Sequence, residues 1–341
     1  MNKWYEKSGE NGDIVVSTRV RLARNLKKYP FPCKLKTREK QEINKIVTDV
    51  LVNGNSAISK NFSVLDLNDL SEIELISLVE RHLVSPNFIS NKDSKRLLLL
   101  NDETVSIMLN EEDHIRIQVM KEGFNLDEAY DIANKIDTLL SENLLYAYNE
   151  KLGYLTQCPT NLGTGLRAST MLHLPALQMN GQINNVSSNL SKLGFTLRGS
   201  YGEGTKAVGD LYQISNQVTL GISEEDAISN LKNIAFQLIS QERLARKSFS
   251  SDVTVLDKIG RSLGVLLNSY ILSNEEFMNL ISNVRFGVSI GKVDNIGYDT
   301  MNSLMVNVGP AMLMKNEGKK LTSLKRDEIR SKIVKQKLGK N

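Results

Sequence analysis

The sequence predicts an α+β fold, in which an antiparallel β-sheet is flanked by helices and followed by a C-terminal helical domain. The first observation is a block of short apolar and β-branched segments between residues 97 and 120, separated by charged turns as in an antiparallel meander. The second is that amphipathic helical patterns are inserted among the strands without strict βαβ alternation, which favours α+β over α/β. The third is that helical periodicity alone continues after about residue 245.

The first half of the chain begins with a β-branched segment at residues 14–22 that predicts a strand. The pattern then predicts helices at 37–52 and 71–84, strands at 97–100, 105–109 and 115–120, and a long amphipathic helix from Asp127 to about Gly153. A chain of 341 residues can bury one large core and a smaller second one.

In the second half, an apolar run after Arg167 is expected to form a helix that Pro175 breaks. Strands are predicted at 186–190, 195–197 and 211–220, and Ser223 with Asp226 forms a capping box that opens the next helix. Further helices are expected at 255–272, 275–288 and 301–314, before a basic tail. A boundary near 246–251 would divide the chain into a domain of residues 1–247 and a helical domain of residues 248–341.

Composition excludes several functional classes. The net charge of +4 is too small to indicate nucleic-acid binding by charge. The two cysteines, Cys33 and Cys158, form neither a disulfide framework nor a CxxC motif, and the three histidines include no HExxH zinc pattern. Neither a signal peptide nor an apolar run long enough to span a membrane is present in the sequence, so we expect a cytoplasmic location without membrane contact.

The most specific motif is Cys-Pro-Thr-Asn-Leu-Gly-Thr-Gly, which begins at Cys158 and precedes Arg167. A cysteine close to positive charge becomes a thiolate more readily, and a helix opening at this point would attract phosphate. The motif therefore predicts a reactive thiol beside an anion site.

Arg19 and Arg21 are two residues apart on the first predicted strand. Alternation along a strand places both side chains on one face, a spacing that suits two guanidinium groups binding neighbouring phosphates. The alternative is a solvated basic strand edge shared with Arg24.

Residues 110–116, Asn-Glu-Glu-Asp-His-Ile-Arg, form an acidic cluster that ends in an arginine. If the following strand extends upstream, Glu112, His114 and Arg116 share its polar face. Crowded carboxylates resist joint ionisation unless a cation or metal is near. The alternative is an acidic hairpin turn.

Residues 198–204, Arg-Gly-Ser-Tyr-Gly-Glu-Gly, surround Glu203 with glycines and are expected to form a loop that brings Glu203 and Arg198 onto a ligand. The alternative is an ordinary glycine hairpin. Neither 199–206 nor 287–292 fits the Walker pattern, and neither a His-Arg-Asp nor an Asp-Phe-Gly motif occurs. Nucleotide chemistry would thus depend on an arginine clamp.

These motifs, in this order, resemble the ATP:guanido phosphotransferases, the family of creatine and arginine kinases, over roughly residues 13–244. The resemblance implies the family's catalytic fold and a cradle of five arginines for the phosphates of ATP. We expect Mg²⁺ to be held largely by phosphate oxygens and water, since no dedicated carboxylate cage is evident in the sequence. The resemblance also implies Glu112 and Glu203 as catalytic carboxylates and Cys158 as the reactive-site thiol. The implied ATP-binding residues are Ser17, Thr18, Arg19, Val20, Arg21, His82, Arg116, Arg167, Ala168, Ser169, Thr170, Met171, Arg198, Gly199, Ser200, Tyr201, Gly202 and Glu203.

Within that family the chain is similar to a bacterial branch that phosphorylates arginine side chains of proteins. Sixteen residues precede Ser17, where the small-molecule enzymes have a helical domain that closes over a free amino acid. In this branch the C-terminal helices mediate dimerisation and regulation. A motif that binds phosphoarginine is implied at Arg326, Asp327, Arg330 and Ser331, although the branch usually has Ala at the last position. The alternative for this segment is a solvated basic helix.

The resemblance further implies partners. These are protein substrates with exposed arginine, an activator protein, a Clp-type protease, a transcriptional repressor as substrate and a second copy of the chain in a homodimer. The implied role is to mark stress-damaged proteins or a repressor for Clp-type proteolysis. Two other functions stay open at this point: a phosphagen kinase for free arginine or creatine, and a non-catalytic adaptor that binds phosphoarginine.

Overall fold

The computed structural model describes residues 2–54, 58–199 and 207–339. Within these ranges eight strands form one antiparallel sheet, with the spatial order β2-β3-β4-β5-β1-β8-β10-β9, and two short strands, β6 and β7, form a separate hairpin. The strands are β1 (Val15–Arg24), β2 (Phe62–Asp66), β3 (Arg96–Leu100), β4 (Val105–Leu109), β5 (Ile115–Glu122), β6 (Tyr148–Asn149), β7 (Gly153–Tyr154), β8 (Leu166–His173), β9 (Phe195–Gly199) and β10 (Leu211–Asn216).

Helices flank the sheet and then fill the C-terminal region, which confirms the α+β prediction. They are α1 (Thr37–Leu51), α2 (Glu72–Glu80), α3 (Pro86–Ser90), α4 (Leu126–Ser141), α5 (Pro175–Met179), α6 (Ile183–Lys192), α7 (Glu224–Ser248), α8 (Val253–Asn268), α9 (Asn274–Ser289), α10 (Tyr298–Asn307), α11 (Pro310–Glu317) and α12 (Ser323–Leu338). Among the helices in the described ranges, none combines the length and apolar content needed to cross a bilayer.

The two faces of the sheet have different roles. On one face, alternate residues such as Val20, Ile117 and Ala168 are buried in the main apolar core, where α1, α4 and α7 pack. On the other face, Leu97 and Met108 at the β3–β4 end are covered by the apolar residues of α2 and α3. The remaining part of this second face, around β1 and β8, carries polar and charged side chains and forms the candidate site.

Two element predictions were wrong in type. The run after Arg167 is the central strand β8, paired with β1 and β10, because its apolar residues alternate at the period of a strand that is buried between neighbours. Residues 186–190 belong to helix α6, since Ile183, Val186 and Leu190 repeat at helical spacing and only Leu190 is fully buried.

Three helix ends also differ from prediction. Helix α4 ends at Ser141 rather than near Gly153, because the chain then pairs through Tyr146 with Leu26 and turns into the β6–β7 hairpin. Helix α8 ends at Asn268, and the helix expected at 301–314 is split into α10 and α11 at Pro310, which cannot donate a helical hydrogen bond. The strand expected at 211–220 ends at Asn216.

The C-terminal helices pack against the sheet region through a second core. This core joins Phe277, Ile281 and Met301 from the helices to Val16 and Leu211 from the strands. Helix α7 ends at Ser248 and α8 begins at Val253, so the boundary predicted near 246–251 falls on the intervening turn. The division into independent domains stays a prediction.

A buried polar network crosses this same interface. The His173 ring, which is fully buried, has its Nε2 atom 2.9 Å from Ser282 Oγ of α9, and Ser282 Oγ donates to Asp210 at 2.7 Å. Arg246 donates to the His173 carbonyl at 2.8 Å and pairs with buried Glu242. Burial, together with the nearby charges of Arg246 and Arg285, holds the pKa of His173 well below its usual value. The network therefore requires a neutral His173.

This requirement predicts acid sensitivity. Below pH about 6.5 the unfolded chain protonates His173 and the folded chain does not, so the free energy of unfolding falls as the pH falls. In a His173→Gln variant we expect a shallower fall between pH 6 and 5, by up to about 1.4 kcal/mol per pH unit, in urea denaturation. Wild-type and variant profiles of equal slope would contradict the assignment of a neutral buried imidazole.

Candidate functional site

The sheet register brings the five expected arginines onto one face. Arg21 lies directly opposite Arg167, and Arg19 lies opposite Ser169 on the same pair of strands. The side chain of Arg116 shares this face because its partner on β1 is Ala23, two residues from Arg21. Arg198 lies opposite Gln213, which lies opposite Met171, so its side chain also points to this face. We call this set of five the arginine face: Arg19, Arg21, Arg116, Arg167 and Arg198.

The arginine face concentrates positive charge around Arg19 and Arg21. Both residues are half-buried, and the Nε atom of each is buried without a hydrogen-bond partner among the residues that the structure describes. Burial and the neighbouring Arg167 and Arg116 lower the pKa of Arg19 to about 10, and burial with Arg19 lowers that of Arg21 well below its usual value. A cluster of this kind favours a multiply charged anion.

Several other expected ATP-binding residues lie off this face. Thr18, Val20, Ala168 and Thr170 are buried on the opposite side of the same strands. Thr18 is a structural residue, since its hydroxyl donates to the Gly123 carbonyl at 2.8 Å and accepts from Asn125 N at 3.1 Å. ATP contacts through these four side chains are therefore not supported, whereas Ser17, Ser169 and Met171 alternate onto the arginine face.

Glu112 projects from the turn before β5 and is held by the arginine face. Its carboxylate accepts a hydrogen bond from Arg116 at 3.0 Å, and its side chain is 38% exposed. Glu111 also pairs with Arg116 and with the Ser85 hydroxyl, but its side chain is only 5% exposed. Of these two carboxylates, Glu112 is the one that a substrate can reach from solvent.

The expectation that Glu112, His114 and Arg116 share a strand face was wrong, because β5 begins only at Ile115. His114 is fully buried, with Nδ1 accepting from Leu26 N at 2.9 Å and Nε2 lying 2.8 Å from the Pro30 carbonyl. These partners require a neutral ring protonated at Nε2, consistent with a pKa lowered mainly by burial. His114 thus anchors the loop after β1 and takes no part in the polar face.

Asp113 connects the Glu112 turn to the cysteine loop. Its buried carboxylate accepts from the Asn25 side chain at 2.6 Å and from the backbone of Gln157 at 2.9 Å. Gln157 immediately precedes Cys158, so one carboxylate fixes both the candidate base and the thiol. Sequence reasoning missed this role, although the Asp113 position inside an acidic cluster was visible.

Cys158 is half-buried, and its sulfur lies 3.1 Å from the Thr160 hydroxyl. The predicted helix opening is wrong: residues Pro159–Asn161 make a single 3-10 turn that leads through Gly163 to strand β8. Gly163 has φ of +111°, and a Cβ there would lie 2.1 Å from the Thr219 carbonyl, so the glycine is required. The thiol therefore does not lie at the start of an α-helix.

His82 lies at one side of the arginine face. Its carbonyl accepts from Gln118, which is directly opposite Arg21, and its φ of +58° is unusual for a residue with a side chain. The Trp4 ring lies 6.4 Å from the His82 ring. Burial and the charge of Arg19 lower the pKa of His82 to about 4, so the ring is neutral near pH 7 and offers an apolar surface.

The loop expected to carry the second carboxylate lies outside the described residues. This applies to Ser200, Tyr201, Gly202, Glu203 and Gly204. The described part of β9 ends with Arg198 and Gly199. The role of Glu203 stays a prediction.

Of the four residues of the C-terminal motif, two are buried and two are half-buried. Arg330 and Ser331 are buried in α12, where Arg330 donates to the carbonyls of Val308 at 3.0 Å and Leu272 at 2.7 Å. Arg326 and Asp327 are half-buried, and Arg326 donates to Leu321 O and to the Ser323 hydroxyl at 3.1 Å each. Of the four residues, Arg326 and Asp327 are the two that are partly exposed, and the Asp327 carboxylate pairs with Arg330 at 2.5 Å.

Comparison with known proteins gives a consistent result. Residues 42–245 match the model described as ATP:guanido phosphotransferase, C-terminal catalytic domain, and residues 252–341 match the model described as protein-arginine kinase McsB C-terminal domain. The chain is 46% identical to the protein-arginine kinase of Clostridium acetobutylicum over 99% of this chain and 100% of that protein. It is 44% identical to the protein-arginine kinase of Caldanaerobacter subterraneus subsp. tengcongensis over 96% of this chain and 98% of that protein.

Among solved structures, the chain is similar to a lombricine kinase with a TM-score of 0.60 and 28% identity, over 69% of this chain and 67% of that one. It also shares the fold of the duplicated taurocyamine kinase from Schistosoma mansoni, with a TM-score of 0.63 and 23% identity over 82% of this chain and 46% of that one.

The electrostatics of β1 predict opposite effects for two arginines on that strand. Arg21→Met should relieve repulsion on the arginine face and raise the free energy of unfolding by about 1 kcal/mol, while it removes stabilisation by added ATP. Thermal denaturation with and without ATP measures both effects. An Arg21→Met variant that is destabilised, or that ATP still stabilises fully, would refute the electrostatic interpretation.

Arg24→Met is the matched control. Arg24 is fully buried but paired with Asp137 at 2.7 Å and Glu224 at 2.9 Å, and it lies over the Tyr154 ring. Its removal leaves two carboxylates without their cation, so we expect a loss of about 3–5 kcal/mol. If Arg24→Met left the free energy of unfolding unchanged, ion pairing would not explain a difference between Arg24 and Arg21.

Proposed function

The chain belongs to the ATP:guanido phosphotransferase family, and from that premise we propose that it is a protein-arginine kinase, which transfers the γ-phosphoryl group of ATP to arginine side chains of proteins. The observation that carries this proposal is the arginine face with the solvent-accessible Glu112 at its edge. The relatives that match over nearly the whole chain are named protein-arginine kinases, which supports a protein substrate over a free amino acid.

Phosphoryl transfer depends on positioning and on charge neutralisation. The arginine face supplies both, because strand register places its side chains on one face of the sheet before ATP binds. Bidentate hydrogen bonds from these groups would hold the β- and γ-phosphates in one orientation. The unpartnered Nε atoms of Arg19 and Arg21 would gain acceptors on binding.

The acceptor guanidinium must lose a proton as its nitrogen attacks. We assign this proton to Glu112, whose carboxylate is oriented by Arg116 and open to solvent. The N–P bond forms as the bond from the γ-phosphorus to the ADP oxygen breaks, and ADP leaves. Glu203 would hold the other edge of the guanidinium, with Cys158 beside it as a thiolate.

Mg²⁺ fits this site as a partner of ATP. The carboxylates next to the arginine face, Glu111 and Glu112, are engaged by Arg116, and among the described residues no cluster of three metal-binding side chains occurs. Phosphate oxygens and water would therefore supply most of its ligands. Bound Mg²⁺ would add charge neutralisation on the β- and γ-phosphates.

We extend the proposal to regulation and partners. Arg326 and Asp327 are accessible on α12 and would bind phosphoarginine, while buried Arg330 and Ser331 fix the helix that presents them. On the same premise we propose a cytoplasmic homodimer that acts with an activator protein and marks stress-damaged proteins or a repressor for a Clp-type protease. Phosphorylated arginine on such substrates is the chemical mark this activity would leave.

The proposed role of Glu112 predicts that Glu112→Gln lowers kcat by about 10²–10⁴-fold with the fold intact, because the base is lost. Mass spectrometry of an unfolded protein incubated with ATP and the enzyme, searched for phosphoarginine, measures the transfer. Asp131→Asn on the remote exposed face of α4 is the matched control and should have wild-type activity. Activity retained by Glu112→Gln would contradict the assignment, and phosphate appearing only on added free arginine would contradict the protein substrate.

The proposed role of Glu203 predicts a different kinetic change. Glu203→Ala should raise KM for an arginine-containing peptide by about tenfold, because one charge-assisted contact with the guanidinium is lost. Steady-state kinetics, with the concentrations of peptide and ATP varied separately, measure KM for the peptide and KM for ATP. Unaltered peptide kinetics would remove Glu203 from the acceptor site.

A further inference from the structure

The junction between α10 and α11, residues 308–312, is bound by a carboxylate from the nucleotide side of the molecule. Glu80, the last residue of α2, accepts hydrogen bonds from Ala311 N at 2.8 Å and Met312 N at 2.9 Å. Its two oxygens thereby cap the free N–H groups at the start of α11. Gly309 permits this approach, because a Cβ there would lie 2.5 Å from Glu80 Oε2.

Glu80 is two residues from His82, and the intervening segment is tightly held. Arg81 is buried in an ion pair with Glu103 and donates to the Ser77 carbonyl at 3.2 Å. The His82 carbonyl is bound by Gln118 at 2.9 Å. A displacement of Glu80 would therefore shift the His82 ring beside the arginine face, because residues 80–82 are short and tightly held.

A second contact joins the same helices to His82. Trp4, in the N-terminal 3-10 turn Trp4–Glu6, is buried in a small cluster with Val306 of α10 and Met120 of β5. Met120 is directly opposite Arg19, and the Trp4 ring lies 6.4 Å from the His82 ring. Helix α10 thus supports the apolar side of His82 through Trp4, while α11 supports its backbone through Glu80.

The far side of the junction is bound by the α12 motif. Arg330 donates to the Val308 carbonyl at 3.0 Å, one residue before Gly309, and to the Leu272 carbonyl at 2.7 Å. Residues 308–312 are therefore held between Arg330 of α12 and Glu80 of α2. Hydrogen bonds at Val308, at Ala311 and at His82, joined by the short backbone segments 308–311 and 80–82, connect α12 to the nucleotide side of the sheet.

We propose that Glu80 is a positioning residue, through which the C-terminal helices hold His82 in the place that ATP requires. The junction is the connecting element, and Arg330 is its anchor on α12. This inference rests on the proposed function, because it takes the nucleotide to be ATP and His82 to be one of the ATP-binding residues that the family resemblance implies. Glu80 lies outside the motifs identified in the sequence and would act only through His82.

The experiment is Glu80→Gln, which keeps side-chain size but replaces one acceptor oxygen with an amide that cannot accept. We expect KM for ATP to rise by about five- to tenfold with kcat changed less than about twofold, since ground-state positioning is lost. Calorimetric titration with a non-hydrolysable ATP analogue and Mg²⁺ should give the same loss of affinity. Glu72→Gln is the matched control, because Glu72 lies on the same helix and also faces the C-terminal region, but its pair with Lys320 at 3.6 Å is exposed.

Trp4 supplies a readout that a merely structural role would not move. It is the only tryptophan of the chain, so the emission spectrum reports this one location. Glu80→Gln should shift the emission of the unliganded protein while its melting temperature stays near that of the control. An unchanged ATP affinity, or a kcat that falls as far as KM rises, would overturn the proposal.

The calorimetric titration distinguishes a failure of the proposed function from a failure of the positioning role of Glu80. If the wild type transfers no phosphate to arginine but Glu80→Gln still weakens nucleotide binding, the proposed function fails and the positioning role stands. If transfer proceeds and the analogue binds Glu80→Gln as tightly as it binds the wild type, the positioning role fails alone. Should Glu80→Gln not fold, Gly309→Ala, which forces the Glu80 carboxylate away, must give the same loss of affinity or the proposal is overturned.

Discussion

The structure depends on one electrostatic constraint, which is that five arginines are held on one face of a sheet, where their like charges repel one another. Strand register fixes Arg19, Arg21 and Arg167 as direct neighbours, and half-burial prevents water from screening them fully. Such an arrangement costs stability in the absence of an anion. The cost is offset by the apolar core on the opposite face, where α1, α4 and α7 pack against the same strands.

The surrounding polar groups are organised to preserve this constraint. Arg24, three residues after Arg21 on β1, is neutralised by Asp137 and Glu224, whereas Glu111 and Glu112 both pair with Arg116. Asp113 then joins the Glu112 turn to the loop of Cys158 through Gln157. The fold thus keeps acids at the edge of the cluster, where an acceptor guanidinium would enter, and away from its centre, where phosphates would bind.

The sequence was sufficient for the fold class, and strand alternation correctly placed Arg19 and Arg21 on one face, because alternation is a local property. The other three arginines were expected from the family resemblance, and only the strand register shows that they share this face. The sequence failed at β8 and α6, since a short apolar run does not by itself distinguish a buried strand from a helix. It also failed to place His114, whose role depends on the carbonyl of Pro30 and the amide of Leu26. The links made by Asp113 and Glu80 join residues distant in sequence, and no local pattern signals them.

The most direct test of the account is a crystal structure of the chain with MgADP, nitrate and a peptide that contains arginine. Nitrate is planar and would occupy the position of the phosphoryl group during transfer. The account predicts that guanidinium nitrogens of the arginine face lie about 3 Å from the phosphate and nitrate oxygens, with the peptide guanidinium against Glu112. Nucleotide bound on any other surface, or a peptide arginine remote from Glu112, would contradict it.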